Sequence, residues 1–336
     1  MLRIGLIGAG TNTRARHIPG LLAVSGVTLA AVCNRRPEST AAVANEFNIP
    51  RTFERWQDLV ACPDIDAIVI GTWPYLHAPI TLAALDAGKH VLTEARMCMN
   101  VAEAHQMLAA SRTHRGLVCQ IVPSPFGLSG DAFIRQLLAQ GYLGEWREVS
   151  VVHRNSALAD PAAPLHWRQD AAFSGVNMLT LGILHETLSR WLPQPNRVLA
   201  HTHAFIPQRG GVPVGTPDSV QALVEYPNGS RGVYQLSGVC PHGQEMAARL
   251  YGSAGVLTYD FLTDNITGTH GPLSIPADLR GGWKVEADFV ASIREGKPVT
   301  RTTFEAGLDY MKFTEAVATS AAEGRAVALP FDPNGR

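Results

Sequence analysis

The 336 residues are more than one ordinary domain needs and enough for two, each able to bury its own core. With 28 basic against 29 acidic residues and no block of like charge, nothing in the charge pattern favours a nucleic-acid or polyanion surface, and the expected partner is a small molecule. Five scattered cysteines without a CxxC pair argue against a disulfide framework or zinc knuckle; no secretory leader and no run of about 18 apolar residues is found, so the chain reads as a soluble, unprocessed, cytoplasmic protein with no membrane partner.

Leu2 to Ile7 is a short apolar run, expected of a parallel strand buried on both faces, and it ends in Gly8-Ala9-Gly10-Thr11-Asn12-Thr13. Arg14 to Val24 has helical spacing, Val27 to Cys33 reads as a second strand and Glu38 to Phe47 as a helix, which completes a βαβ unit. In that setting Gly8 permits the tight turn and Gly10 lets the backbone approach a pyrophosphate. Thr11 and Asn12 lead into a helix whose free N–H groups and positive dipole end face the phosphate. Thr13 stands where a third glycine is usual. The acidic residue that binds the adenosine ribose hydroxyls of NAD, about 20 residues beyond the glycines, is missing, and the run is Cys33-Asn34-Arg35-Arg36. No carboxylate there opposes a 2′-phosphate, and Arg35 can meet one with its guanidinium fork. NADP is therefore the expected cofactor, with NAD as second choice and two solvated arginines as the plain alternative.

Ala67 to Thr72 is another apolar strand, running into Trp73 and His77; Ala78 to Ala87 reads as a helix. His90 to Thr93 is the strand that delivers Glu94-Ala95-Arg96 to the carboxyl edge of the sheet, where ligands of doubly wound folds bind. Val101 to Ser111 reads as a helix and Leu117 to Val122 as a sixth strand. Pro123 to Gly127 then breaks the rhythm, which divides the chain into domains 1–122 and 123–336. In the second domain Asp131 to Gln140 is an amphipathic helix stopping at Gly141. The alternating runs Trp146 to His153, Arg197 to Phe205, Ser219 to Tyr226, Ser230 to Ser237 and Glu245 to Tyr251 fit an antiparallel sheet with one face against helices. A helix is expected around Asn177 to Trp191, and a last one from Gly307 to Ala322 with Gly324 as its stop. His201 and His203 share one face of a strand, but no Cys, Asp or Glu stands at metal-ligand spacing, so no metal is expected.

Gly8-Ala9-Gly10, His17-Ile18-Pro19, Thr72 followed by His77, Gly88-Lys89-His90-Val91-Leu92-Thr93-Glu94, Gly144 and Tyr251-Gly252-Ser253-Ala254-Gly255 together resemble the glucose–fructose oxidoreductase, inositol dehydrogenase and rhizopine-catabolism (Gfo/Idh/MocA) family over nearly the whole chain. The resemblance implies an α/β protein: an N-terminal Rossmann domain with a doubly wound parallel sheet, and a C-terminal α/β domain with a large, mainly antiparallel open sheet for substrate binding and homodimer or homotetramer contacts. It also implies hydride transfer between nicotinamide and a hydroxyl carbon of a sugar, polyol or related ring.

Against that family pattern the chain departs at three positions. Glu94-Ala95-Arg96 stands where relatives carry Glu-Lys-Pro, and Ala95 cannot hydrogen-bond or move a proton at the reacting oxygen as a lysine does. Arg96 is either an electrostatic clamp in the pocket or a salt-bridged structural arginine. The family's Asp-x-Gly-x-His helix reads Thr180-Leu181-Gly182-Ile183-Leu184, with His185 one place later and rotated by about 100°; His185 is either a catalytic residue or a core or interface histidine. Trp167-Arg168 matches a Trp-Arg pair of the cofactor cleft, with Arg168 as a catalytic candidate and Trp167 as a cofactor contact, or else both serve domain packing. Trp73 replaces a usual proline and offers a ring to stack on nicotinamide or substrate. His77 shapes the loop under the cofactor, and Thr72 and Glu94 border the same crevice. The leading reading is an NAD(P)-dependent oxidoreductase of a sugar-like, polyol or cyclic alcohol or ketone with an altered proton relay. The alternatives are a lyase, hydratase or hydrolase working by transient oxidation, or a catalytically weak cofactor-binding relative.

Overall fold

The computed structural model describes residues 1–123 and 128–332. Residues 124–127, part of the break expected between the halves, lie outside the described residues. The chain divides into two compact units, Met1–Pro123 with Lys284–Leu308, and Ser124–Trp283 with Asp309–Arg336. Residues 284–308, expected from the sequence to belong to the second domain, are thus part of the first. Their helix Val285–Glu295 buries Val285, Phe289 and Val290, while Arg294 donates to the Ser25 and Gly26 carbonyls at 2.7 Å each. Helical periodicity marks an apolar face but not which core it covers.

The first unit is built on a five-stranded parallel sheet of order β2-β1-β3-β4-β5, from β1 (Leu2–Ile7), β2 (Val27–Cys33), β3 (Ala67–Ile70), β4 (His90–Thr93) and β5 (Cys119–Ile121). All four residues of β3 are buried, as a strand covered on both faces requires. The connecting helices are α1 (Ile18–Leu22), entered through a π-type turn at Thr13–His17, then α2 (Pro37–Phe47), α3 (Trp56–Ala61), α4 (His77–Asp86) and α5 (Val101–Thr113). Asn100 caps α5, its side chain accepting from the Glu103 N–H at 2.9 Å. The sheet has five strands, one for each apolar run named along the sequence, and the count of six is one too many. Beyond β2 the sheet gains only a single bridge between Val32 and Thr52, next to Pro50, which has no N–H to donate to a ladder.

The second unit carries a nine-stranded sheet. Its strands are β6 (Trp146–Arg154), β7 (Arg197–His203), β10 (Ser219–Glu225), β11 (Arg231–Ser237), β12 (Glu245–Gly252), β13 (Val256–Asp260), β14 (Asn265–Gly268), β15 (Gly271–Leu273) and β16 (Val327–Ala328); β8 (Gln208–Arg209) and β9 (Val212–Pro213) form a separate ribbon. All neighbours are antiparallel except β6 and β11. Val220, Ala222 and Val224 point into the core while Gln221 and Leu223 point out, the period-2 pattern that puts one face of the sheet under cover. Leu181, Leu184 and Leu188 of the helix Leu181–Ser189, with Phe313, Ala316 and Val317 of the helix Phe304–Glu323, fill that face. Gly324, at φ 64, follows the last helix.

Candidate functional site

A cleft of about 1160 Å³ opens at the carboxyl ends of β1, β2 and β3 in the first unit, lined by the Gly8–Gly10 turn, Cys33 to Arg36, Gly71 to Trp73, Tyr75, Glu54 and Arg55 among others. Gly8 sits at φ 84, and a Cβ there would lie 2.6 Å from the Thr72 backbone nitrogen, so only glycine closes this turn. A Cβ on Gly10 would meet no protein atom within 4 Å, so the space beside its backbone is open to an incoming group. Thr13, in place of the third glycine, is buried and its hydroxyl donates to the Gly8 carbonyl at 3.3 Å; it fills the room that the bare Cα of Gly71 leaves. Thr11 and Asn12 are exposed at the mouth of the turn.

Asn34 is engaged inside the turn. Its Oδ1 accepts the Ala9 N–H at 2.6 Å and its Nδ2 donates to the Ser39 carbonyl at 3.1 Å. Its side chain therefore braces the glycine turn against the end of β2. Arg35 is exposed, its guanidinium 5.9 Å from the centre of the Trp73 ring. The charged lining of the cleft is Arg35, Arg36 and Arg55 against Glu54, a net positive wall. Glu54 and Arg55 lie in the loop before α3, and no motif in the sequence marks them.

His77 is sealed from solvent at the start of α4, its Nδ1 2.8 Å from the Arg96 carbonyl and its Nε2 2.9 Å from the Thr72 carbonyl. Burial pushes its pKa down despite those carbonyls, so a neutral ring serves one of them at a time and spans the loops after β3 and β4. Arg96 is 3% exposed. Trp73 and Tyr75 stand 6.5 Å apart, centre to centre, on the cleft wall.

Glu94 faces His17, which the sequence marks only through the family resemblance. His17 Nε2 lies 2.9 Å from Glu94 Oε1, and its Nδ1 lies 2.6 Å from Glu286 Oε1. The Asn12 side-chain amide donates to the same Glu94 oxygen, and Glu94 Oε2 accepts the Ala95 N–H at 3.2 Å. Burial acts to lower the His17 pKa, but the hydrogen bonds to Glu286 and Glu94 outweigh it and raise the value to about 9. Glu94 in turn is held below its ordinary value: burial opposes this, and the His17 bond and charge prevail.

In the second unit Trp167 and Arg168 lie on a single helical turn, Trp167–Gln169, capped by His166, whose ring accepts the Arg168 N–H at 3.2 Å. The Arg168 guanidinium covers the Trp167 ring at 4.3 Å, and its carbonyl accepts the Thr216 hydroxyl at 2.9 Å. Thr180, at the N-terminal end of the helix Leu181–Ser189, is bonded to His153 Nδ1 at 2.6 Å. Asn155 fixes the tautomer: its Oδ1 accepts the Ala157 N–H at 3.0 Å, so its Nδ2 faces His153 Nε2 at 2.9 Å and donates to it. The His153 proton therefore sits on Nδ1 and is given to Thr180, which leaves the Thr180 O–H to donate elsewhere. Burial lowers the His153 pKa and keeps the ring neutral.

His185 is corrected from a catalytic candidate to a core residue. It is 2% exposed, stacked on Phe313 with ring centres 3.6 Å apart, and bonded to the Tyr234 hydroxyl at 3.0 Å. Burial, only partly opposed by the Gln194 side chain as an acceptor, pushes its pKa to about 3. One position later on a helix is a turn of about 100°, enough to send the ring into the core.

Among the described residues no group of three or more His, Cys, Asp or Glu side chains is placed to hold a metal, and no helix is long and apolar enough to cross a membrane. All five cysteines are free thiols.

Comparison with known proteins gives two family-model matches: "Oxidoreductase family, NAD-binding Rossmann fold" over residues 2–121, and "GFO/IDH/MocA C-terminal domain" over residues 132–258. A 1,5-anhydro-D-fructose reductase of Ensifer adhaerens is 26% identical over 336 residues, covering 98% of this chain and 99% of its own length. Among solved structures, levoglucosan dehydrogenase in complex with NADH superposes with a TM-score of 0.86 at 22% identity, covering 98% and 100% of the two chains. Aldose-aldose oxidoreductase from Caulobacter crescentus, complexed with glycerol, gives 0.82 at 23% identity over 98% and 99%. At those identities the two structures speak for the fold.

Proposed function

The chain belongs to the GFO/IDH/MocA family of NAD-binding oxidoreductases, and from that premise we propose that it uses NADP to interconvert a hydroxyl carbon and a carbonyl on a sugar-like, polyol or cyclic substrate, with a proton relay of its own. The observation that carries the cofactor reading is the cleft at the sheet's carboxyl edge, with open room beside Gly10 and Arg35 on a positive wall where NAD enzymes place a carboxylate. A nicotinamide dinucleotide supplies hydride transfer when bound. Gly8, Gly10, Thr11 and Asn12 are proposed to receive its pyrophosphate, and Arg35, stacked beside Trp73, a 2′-phosphate. Asn34, Thr72, His77 and Glu94 support this site by holding the loops that form it. Trp167, Arg168 and Arg96 remain proposed pocket residues.

Ala95 cannot exchange a proton, and the Thr180 hydroxyl, which accepts from the neutral His153 ring, is the proposed hydrogen-bond donor to the substrate oxygen rather than a source of the proton. The relatives named for reducing or oxidising sugars support a small polyhydroxylated substrate. The outward pair Leu199 and Leu223, 42% and 56% exposed and in register on β7 and β10, supports a homodimer or homotetramer through the open sheet face. Free cysteines support a reducing, cytoplasmic setting.

Fluorescence titration with NADPH and NADH tests the proposal, followed by turnover with carbonyl sugars. NADPH is expected to bind about tenfold or more tightly than NADH, and Arg35→Ala to erase that difference, as loss of a charge-assisted bond requires. Equal affinities in the unaltered protein would overturn the NADP assignment. Substrate consumption without net NADPH oxidation would mean that oxidation is transient and the net reaction is not redox.

A further inference from the structure

His17 is the one histidine of the first unit whose two ring nitrogens both face carboxylates, Glu94 at 2.9 Å and Glu286 at 2.6 Å. A neutral imidazole has one N–H and one lone pair, so in this position its lone pair would oppose a carboxylate oxygen; the doubly protonated ring satisfies both sides. The carboxylates arrive from opposite ends of the chain. Glu94 follows β4, and Glu286 lies in the first turn of the helix Val285–Glu295, its carboxylate seated against Gly20, where an added Cβ would come within 2.5 Å of Oε2. Glu94 reaches on to Asn12, which stands in the glycine turn itself.

We infer that His17 is a positioning residue of the dinucleotide site: its ring, donating from both nitrogens, ties Glu94 to Glu286 and through Asn12 holds the glycine turn in the shape that receives phosphate. The inference rests on reading the cleft as a nicotinamide dinucleotide site. His17 itself is fully buried, so its effect on the cleft passes through Glu94 and Asn12. The charged groups acting on it are Glu94 from the end of β4 and Glu286 from the later helix; on its own segment Arg14 pairs with Glu46 and Arg16 is exposed. His77 also acts on Glu94, and burial keeps that ring neutral. Deprotonation, near pH 9, removes one of the two donors and loosens the chain of contacts to the turn.

The test is NADPH affinity, measured by fluorescence without substrate from pH 7 to 10, for the unaltered protein, His17→Gln and Glu286→Gln, with circular dichroism as the check on folding. The unaltered protein should bind evenly up to about pH 8 and weaken about tenfold by pH 10, since the two-donor ring is lost across its titration. His17→Gln, whose single amide nitrogen cannot reach carboxylates on opposite sides, should bind about tenfold more weakly at pH 7 and show no further loss with pH. Glu286→Gln, which keeps the ring but removes one carboxylate, should move the midpoint down by about one pH unit. A folded His17→Gln with unaltered affinity and pH profile overturns the inference. If that variant does not fold, an unmoved midpoint in Glu286→Gln overturns it. Failure of the unaltered protein to bind NADPH or NADH at any pH would sink the cofactor reading as well, and is distinguishable because it appears before any substitution is made.

Discussion

His17 in the first unit and His185 in the second are both closed off from water, at 0% and 2% exposure, yet they come to rest on opposite sides of neutrality. Burial lowers the proton affinity of each. Around His17 two carboxylates overcome that cost and the value rises to about 9; around His185 the company is a Phe313 ring, a Tyr234 hydroxyl and the neutral Gln194 side chain, and the value falls to about 3. Burial sets the size of the penalty, and the partners decide whether the charged form survives it.

The largest effect should come from the acid side. The folded value of His185 lies below its unfolded value, so its contribution is complete above about pH 6.5 and disappears as the pH falls toward about 3, a loss of at most about 5 kcal/mol over that window. Denaturant unfolding of the unaltered protein and His185→Phe between pH 7 and 3 checks this: the substituted protein should lose less stability on acidification, and parallel curves would break the contrast. Next is His17→Leu at pH 7, which leaves Glu94 and Glu286 buried with no cation between them and should cost about 3–5 kcal/mol. The same substitution at His185 removes a neutral hydrogen bond and should cost only about 1–2 kcal/mol. Comparable midpoints for the two leucine variants would show that the carboxylates around His17 do not depend on its charge. The smaller of the two pH effects lies on the alkaline side. His17 is raised on folding, so its contribution is full below about pH 6.5 and is lost as the pH climbs through about 9, roughly 3 kcal/mol that His17→Gln should not show. Unfolding curves at pH 7 and 9.5 measure it.

Much of the first unit is legible along the chain. The strand Leu2–Ile7, the Gly8 turn and the βαβ order are local features, and the open backbone beside Gly10 is what a glycine in that place leads one to expect. The alanine at position 95, where the resemblance implies a lysine, is equally plain. Other features depend on distance in space. Beyond the five apolar runs, the segment around Thr52 closes on Val32 through a single bridge that no periodicity reveals. Asn34, expected to meet a cofactor, has both ends of its amide engaged by Ala9 and Ser39. His153 drew no notice because it lies 27 residues before Thr180 on a strand that alternates like any other.

By itself the sequence determined the order of strands and helices and the glycine turn, because backbone preference and apolar periodicity act over a few neighbouring residues. Tertiary structure alone decided that residues 284–308 join the first unit, that His185 turns into a core, and that His17 keeps a proton. Its partner Glu286 lies 269 positions away in the chain and 2.6 Å away in space, and desolvation and Coulomb energies follow the second distance.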